Sequence, residues 1–369
     1  MREYKIIREG MHSVNIADDE MVSIKEIYLR SVTSIMFKVP FYDATMGPFA
    51  YYAPCFLKIR DHEDYSGECE FPGSCLYILT SIFFPILLDS PKMTYFDLYH
   101  KLFWNIRNEG FRGGAAIALG HLDRIFYDFF TKRKGLPVYR YLGVSNSVVN
   151  AYASRCGVAL KGAQLLEECL SFKEEGYGTL KMKFCGFDAT IAEDIKRIGF
   201  VRNAIGADMG LSVDANQCMD LDRAITFSKE AISLNIAWLE EPFYSAALVE
   251  IEILCLESSI PISYGESERT ENIFPSLIKA EVKHLQPVAG YINSIKDWLS
   301  IANLAKKENL QFSSGGSSYY NAQFVAAAGD EALLDFLKPV VDLIELLLWT
   351  ALKLRMVSFY FPKSQGLAL

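Results

Sequence analysis

Five charged residues recur within or just after short apolar runs between Leu180 and Glu266. Lys181 and Lys183 lie in Thr179-Leu180-Lys181-Met182-Lys183-Phe184, and Asp214 in Leu211-Ser212-Val213-Asp214-Ala215-Asn216. Glu240 closes Ala237-Trp238-Leu239-Glu240 ahead of Glu241-Pro242, and Glu266 closes Pro261-Ile262-Ser263-Tyr264-Gly265-Glu266. The steps from Asp214 to Glu240 and from Glu240 to Glu266 are both 26 residues. That length suits one strand, one helix and two short loops, with an acid at the carboxyl end of each strand. Three unpaired carboxylates at one mouth repel each other, so a cation is their natural occupant. An all-oxygen set favours Mg²⁺ over zinc or copper. Lys181 and Lys183 alternate with Met182 and share one face of a strand, the inward one. A lysine beside a metal and a second lysine has its pKa lowered and can act as a base near neutral pH. Any one of these acids alone reads as a surface charge at a loop start. The five together, in strand order, do not.

The elements that must hold them follow from the rest of the chain. Strands read at Asn150–Ser154, Lys181–Phe184, Ser212–Asp214, Trp238–Glu240, Ile262–Tyr264, Val282–Gln286, Leu310–Ser313 and Asp342–Glu345. Amphipathic stretches such as Ala189–Ile205 and Asp220–Leu234 separate them. Strands alternating with helices imply a parallel sheet, and eight close a barrel. Upstream, Ile24–Leu29, Val32–Val39 (ended by Pro40) and Phe56–Arg60 read as strands of an antiparallel sheet. Between them Phe41–Pro54 is rich in turn residues and aromatics and reads as a loop. Residues 75–135 carry helical periodicity, clearest over Ala115–Phe130. Residues 1–20 read as a loose extension.

Lys-x-Lys, Asp-x-Asn, Glu-Glu-Pro and Gly-Glu, in this order, resemble the enolase superfamily in its mandelate racemase/muconate lactonizing branch. The resemblance covers nearly the whole chain. It implies an α/β fold, a modified TIM (β/α) barrel over residues 149–350, with the metal site. An α+β capping domain would be formed by residues 1–148 and rejoined by the C-terminal tail at about 351–369. It implies one Mg²⁺ held by Asp214, Glu240 and Glu266. It also implies abstraction of the proton alpha to a carboxylate, with Lys183 as base and Lys181 as its electrostatic partner. The segment Phe41–Pro54 takes the place of the family's mobile loop that closes over the site and selects substrate. Candidate substrate contacts are Asn216, Gln286, Tyr42, Tyr319, Tyr320 and Glu345, the last matching an electrophilic glutamate of some relatives.

The match fails at the second acid/base. Val288 stands where the branch has a lysine or aspartate after the sixth strand, and Gly315 where it has a histidine after the seventh. None of the five histidines fits the missing role, and His284 reads as a barrel-wall residue. One-base chemistry, such as syn elimination of water from an acid sugar or hydroxy acid, is the leading expectation. A racemase, epimerase or cycloisomerase is the alternative, and a catalytically impaired metal- and carboxylate-binding homologue is a third reading.

Composition sets the outer bounds. The 369 residues are 51% hydrophobic and 22% charged, room for one barrel of about 200–250 residues and a smaller domain. A net charge of −8 argues against nucleic acid or an anionic membrane as partner. The expected partner is a small carboxylate substrate, and the expected state a homo-oligomer. The eight cysteines are scattered, with no Cys-x-x-Cys, and no secretory signal is evident; they read as reduced thiols of a cytoplasmic protein. Cys185 and Cys218, just past two strand ends, read as packing residues. The apolar run Cys75–Leu88 is too short to span a bilayer.

Overall fold

The computed structural model describes residues 17–342 apart from 32–34, 53, 111, 146–147, 187–188, 317 and 339. Glu345 and the expected return strand at Ser358–Leu369 lie outside the described residues. Seven strands precede the barrel: β1 (Met21–Val22), β2 (Ile24–Ser31), β3 (Ile35–Phe41), β4 (Phe49–Tyr52), β5 (Cys55–Asp61), β6 (Ser66–Phe71) and β7 (Met93–Thr94). The antiparallel sheet is ordered β2-β5-β6, and β3 is not part of it. Instead β3 pairs with β4 as a separate hairpin, so the expected loop after Phe41 contains a strand and its open part is 42–48. Pro40 does not end β3. It sits inside an irregular stretch of register between Met36 and Phe41, where no ladder N–H is needed.

The helix Gly114–Lys134 packs across β6. The approach is close enough that a Cβ at Gly67 would come within 2.3 Å of the Ile125 carbonyl oxygen, so glycine is required there. Its far end is closed by Gly135 in the left-handed region (φ 68°), whose N–H bonds back to Lys132 and Thr131. The short helix Val138–Tyr141 leads into the barrel.

The barrel comprises β8 (Asn150–Arg155), β9 (Thr179–Lys183), β10 (Gly210–Asp214), β11 (Ile236–Glu240), β12 (Ile262–Tyr264), β13 (His284–Leu285), β14 (Gln311–Ser314) and β15 (Leu333–Leu337). All eight pair in parallel and close, with β15 beside β8. Three of the helices between them start on side-chain caps, at Thr190, Asp220 and Ser294, the first a capping box with Glu193. The eighth strand is Leu333–Leu337, not Asp342–Glu345. The helix Ser318–Ala328 ends at a turn beginning at Gly329, and Leu333 follows the start of β14 by 22 residues, fewer than the 26-residue step between the acids. Among the described residues no helix is long and apolar enough to cross a membrane.

Candidate active site

Asp214 and Glu240 are the last residues of β10 and β11, and the two strands pair them directly. Glu266 lies two residues past the end of β12. Asp214 and Glu240 are buried, Glu266 is half-buried, and each offers a carboxylate oxygen within 4.8 Å of the others. Strand pairing also sets Lys183 beside Asp214, and Lys181 beside Ser212 one pleat below. Both lysines point inward, as alternation with the buried Met182 requires.

The two ammonium groups meet different surroundings. Lys181 Nζ is 2.8 Å from a Glu240 oxygen, 2.8 Å from Asp335 Oδ2 and 3.6 Å from Asp214 Oδ2. Among the described residues Lys183 is ion-paired to Asp214 alone. Burial disfavours the Lys181 cation, but Asp335, Glu240 and Asp214 outweigh it and hold its pKa well above the ordinary lysine range. Lys183 follows the same balance: burial and Lys181 pull it down, Asp214 and Glu266 pull it up, and the net direction is upward. The lowered pKa expected of Lys183 is therefore not the state of the metal-free site, because Asp214 is its counter-ion there. Four carboxylates share two ammonium groups. Asp214 takes the larger share and stays below its usual value despite burial. The shortfall falls on Glu240 and Glu266, both raised chiefly by burial and by repulsion from Asp214. A divalent cation would relieve that imbalance, and the donor set, all carboxylate oxygens at converging positions, fits Mg²⁺.

Asp335 escaped the sequence reading because the eighth strand was placed too late. The signal was present: Leu333-Leu334-Asp335-Phe336-Leu337 is another short apolar run carrying an acid. Glu241 was missed as well. Its buried carboxylate accepts from Gln217 Nε2 at 2.7 Å, Ser267 N at 2.9 Å and Gly265 N at 3.3 Å. It thereby fixes the backbone on both sides of Glu266. Arg269 braces the same loop by donating to the Glu266 carbonyl at 2.7 Å.

Beneath the carboxylates lies an aromatic floor. Trp238 packs edge-on against His284 (4.6 Å) and Tyr152 (5.3 Å), and Lys181 lies 5.7 Å from the Tyr152 ring centre. His284 is buried against Ser313 Oγ (2.9 Å), and burial with Lys181 nearby lowers its pKa to about 3. It is a neutral barrel residue, as the sequence suggested. Gln286 uses both ends of its amide inside the barrel, accepting from Ser263 and donating to Tyr152 at 2.9 Å. Tyr42 is half-buried on the 42–48 loop. Asn216 bonds that loop through Ala44 N at 3.1 Å. Tyr319 is half-buried with its ring 5.7 Å from Tyr320. Tyr320 is fully buried under Arg124, and its charged neighbours are Glu70 and Arg124 rather than the three acids. Val288 is buried, and a Cβ built on Gly315 would lie 3.7 Å from it and 3.6 Å from Asp335 Oδ2. The two positions where a second base is expected thus carry a valine and a glycine, and the carboxylate that borders them, Asp335, is ion-paired to Lys181.

An eight-stranded parallel barrel with acids at successive strand ends and a paired-lysine strand beside them defines a barrel metalloenzyme scaffold. The family description "Enolase C-terminal domain-like" matches residues 164–369, and the chain belongs to that family, in the mandelate racemase/muconate lactonizing branch of the enolase superfamily. It is 31% identical over 212 residues to L-talarate/galactarate dehydratase of Salmonella typhimurium, covering 57% of this chain and 53% of that protein. It is 27% identical over 220 residues to 3,6-anhydro-alpha-L-galactonate cycloisomerase of Streptomyces coelicolor, covering 59% and 60%. The matches thus span little more than half the length of these relatives. The fold is similar to the crystal structure of a Streptomyces coelicolor racemase with bound magnesium, with a TM-score of 0.79 and 22% identity over 85% of this chain and 88% of that one.

Proposed function

We propose that this protein is a Mg²⁺-dependent lyase that removes the proton alpha to the carboxylate of an acid sugar or related hydroxy acid and expels water. The observation that carries the reading is one-sidedness. A lysine base and its electrostatic partner stand at the carboxylate trio, and Val288 and Gly315 take the two positions where the branch carries its second acid/base. Asp214, Glu240 and Glu266 would hold the cation, which when bound polarises the substrate carboxylate. Asp214 is the group that keeps Lys183 protonated. With Asp214 committed to a cation, burial and the Lys181 charge are left to pull the Lys183 pKa down toward a useful base. Lys183 then takes the alpha proton. Lys181, locked by Glu240 and Asp335, supplies a fixed positive charge to the anion that forms. Protonated Lys183 returns its proton to the departing hydroxyl on the same face. The substrate contacts proposed are Asn216, Tyr42 and Tyr319; Tyr320 is buried at Arg124, and Gln286 spends its amide on Ser263 and Tyr152. An isomerase is the second reading, supported by the likeness to the cycloisomerase. A screen of single acid sugars, scored for loss of water with Mg²⁺ and none after chelation, tests the reading. Turnover that survives chelation contradicts it.

The same reading includes a homo-oligomer. It is supported by Val249, Ile253 and Leu256, an apolar stripe on the helix Leu248–Glu257 that is 67%, 41% and 71% exposed. Light scattering at one chain mass across concentrations would contradict it.

A further inference from the structure

Asn216 stands between the loop over the site and the acids beneath it. Its backbone N–H donates to Asp214 Oδ1 at 2.9 Å, and its side-chain Oδ1 accepts the Ala44 N–H at 3.1 Å. A backbone N–H can only donate, so the amide atom facing Ala44 is the oxygen. The Asn216 NH₂ is left with no partner among the described residues. The next residue extends the connection. Gln217 N–H donates to the Glu241 carbonyl at 2.7 Å, and Gln217 Nε2 reaches Ser267 Oγ at 2.6 Å, beside Glu266. One hydrogen-bonded rim therefore joins the loops carrying all three acids, and the 42–48 loop is tied to that rim through one side chain. The loop is suited to move as a unit: Asp43 accepts from Thr45 N at 2.7 Å and from Met46 N, closing it on itself. Ala44 is 1% exposed beneath it. Asn216 occupies the left-handed region (φ 44°), which asparagine and glycine tolerate and β-branched residues do not.

We infer that Asn216 is a positioning residue that couples closure of the 42–48 loop to cation binding at Asp214. This deepens the proposed function and rests on it. A cation that orders Asp214 also orders the Asn216 backbone, and hence the acceptor that holds Ala44. By linkage, a closed loop must in return tighten the cation site.

The test is hydrogen exchange of the full chain over residues 42–48, with and without Mg²⁺ alone, alongside calorimetry of Mg²⁺ binding. In the native protein Mg²⁺ should slow exchange there by roughly five- to a hundredfold. Asn216→Gly keeps the backbone conformation and removes the side chain. It should still bind Mg²⁺, lose the protection of 42–48, and leave exchange in the barrel strands unchanged. Asn216→Asp keeps the acceptor and loses the NH₂. It should retain protection of the loop while raising KM for substrate more than it lowers kcat. Equal Mg²⁺ protection of 42–48 in the native protein and Asn216→Gly overturns the inference. So does Mg²⁺ binding by calorimetry with no protection in the native protein. Absence of Mg²⁺ binding in the native protein overturns the metal-site reading itself.

Discussion

Lys181 and Lys183 are two residues apart on one strand, yet one is held by three carboxylates and the other by one. That difference supports the roles proposed for them: a charge that stays, and a charge that can leave. Lys183→Ala should lower turnover by about 10²–10⁴-fold or more, and Lys183→Arg should not restore it, because arginine stays protonated. Asp335→Asn removes one of the anions that keep Lys181 charged and fixed. Steady-state kinetics should show a fall in kcat of roughly tenfold or more with the fold intact by circular dichroism. Native kcat in that variant would remove Asp335 from the account. The carboxyls give a pH dependence with a definite sign. Glu240 and Glu266 have raised pKa values in the metal-free protein, and Mg²⁺ takes the ionised forms. Apparent Mg²⁺ affinity should therefore fall as pH drops and protons refill the two groups, with protons released on binding. Calorimetry in buffers of different ionisation enthalpy measures both. Affinity that rises toward low pH would contradict the charge balance described here.

At the level of elements, the seventh strand's loop is set from the cap. Arg124, fully buried on the helix Gly114–Lys134, bonds Asn321 Oδ1 at 3.2 Å, and Asn321 bonds the Gly315 carbonyl at 2.7 Å. Gly290 makes room for that arginine: a Cβ there would come within 2.6 Å of the guanidinium carbon. Gly290→Ala should cost about 1–3 kcal/mol by denaturant unfolding, because the neighbour is a buried, bonded guanidinium rather than a free side-chain end. A cost near zero would show that Arg124 can shift freely. The strands β9 to β12 were legible because each pairs an apolar run with an acid or lysine at or just past its end, and the 26-residue step ordered the three acids. The eighth was misread because its acid, Asp335, lies mid-strand and so lacks the strand-end signature of the other acids. The β3–β4 hairpin was misread because aromatic and turn residues mark both loops and edge strands, and Pro40 sits at an irregular register where it costs nothing. Glu241 could not be read at all. Its role is a set of bonds to residues 24–26 positions away on either side, and no local pattern encodes them.

For the whole molecule, the proposed cation binding and loop closure would draw on one set of carboxylates. Mg²⁺ at a hundredfold excess over its dissociation constant should stabilise the native protein by about 2.7 kcal/mol, seen as a rise in Tm that chelation reverses. Asp214→Ala should abolish that rise while leaving the barrel folded. The central claim is that this molecule works from one face of its substrate with Lys183 as base. The direct measurement is proton NMR in deuterated water, with Mg²⁺ and a single enantiomer of a turned-over acid sugar. The expected result is loss of water with syn geometry, or alpha deuteration with configuration retained, and neither in Lys183→Ala. Deuteration with inversion, or undiminished exchange in Lys183→Ala, would contradict it.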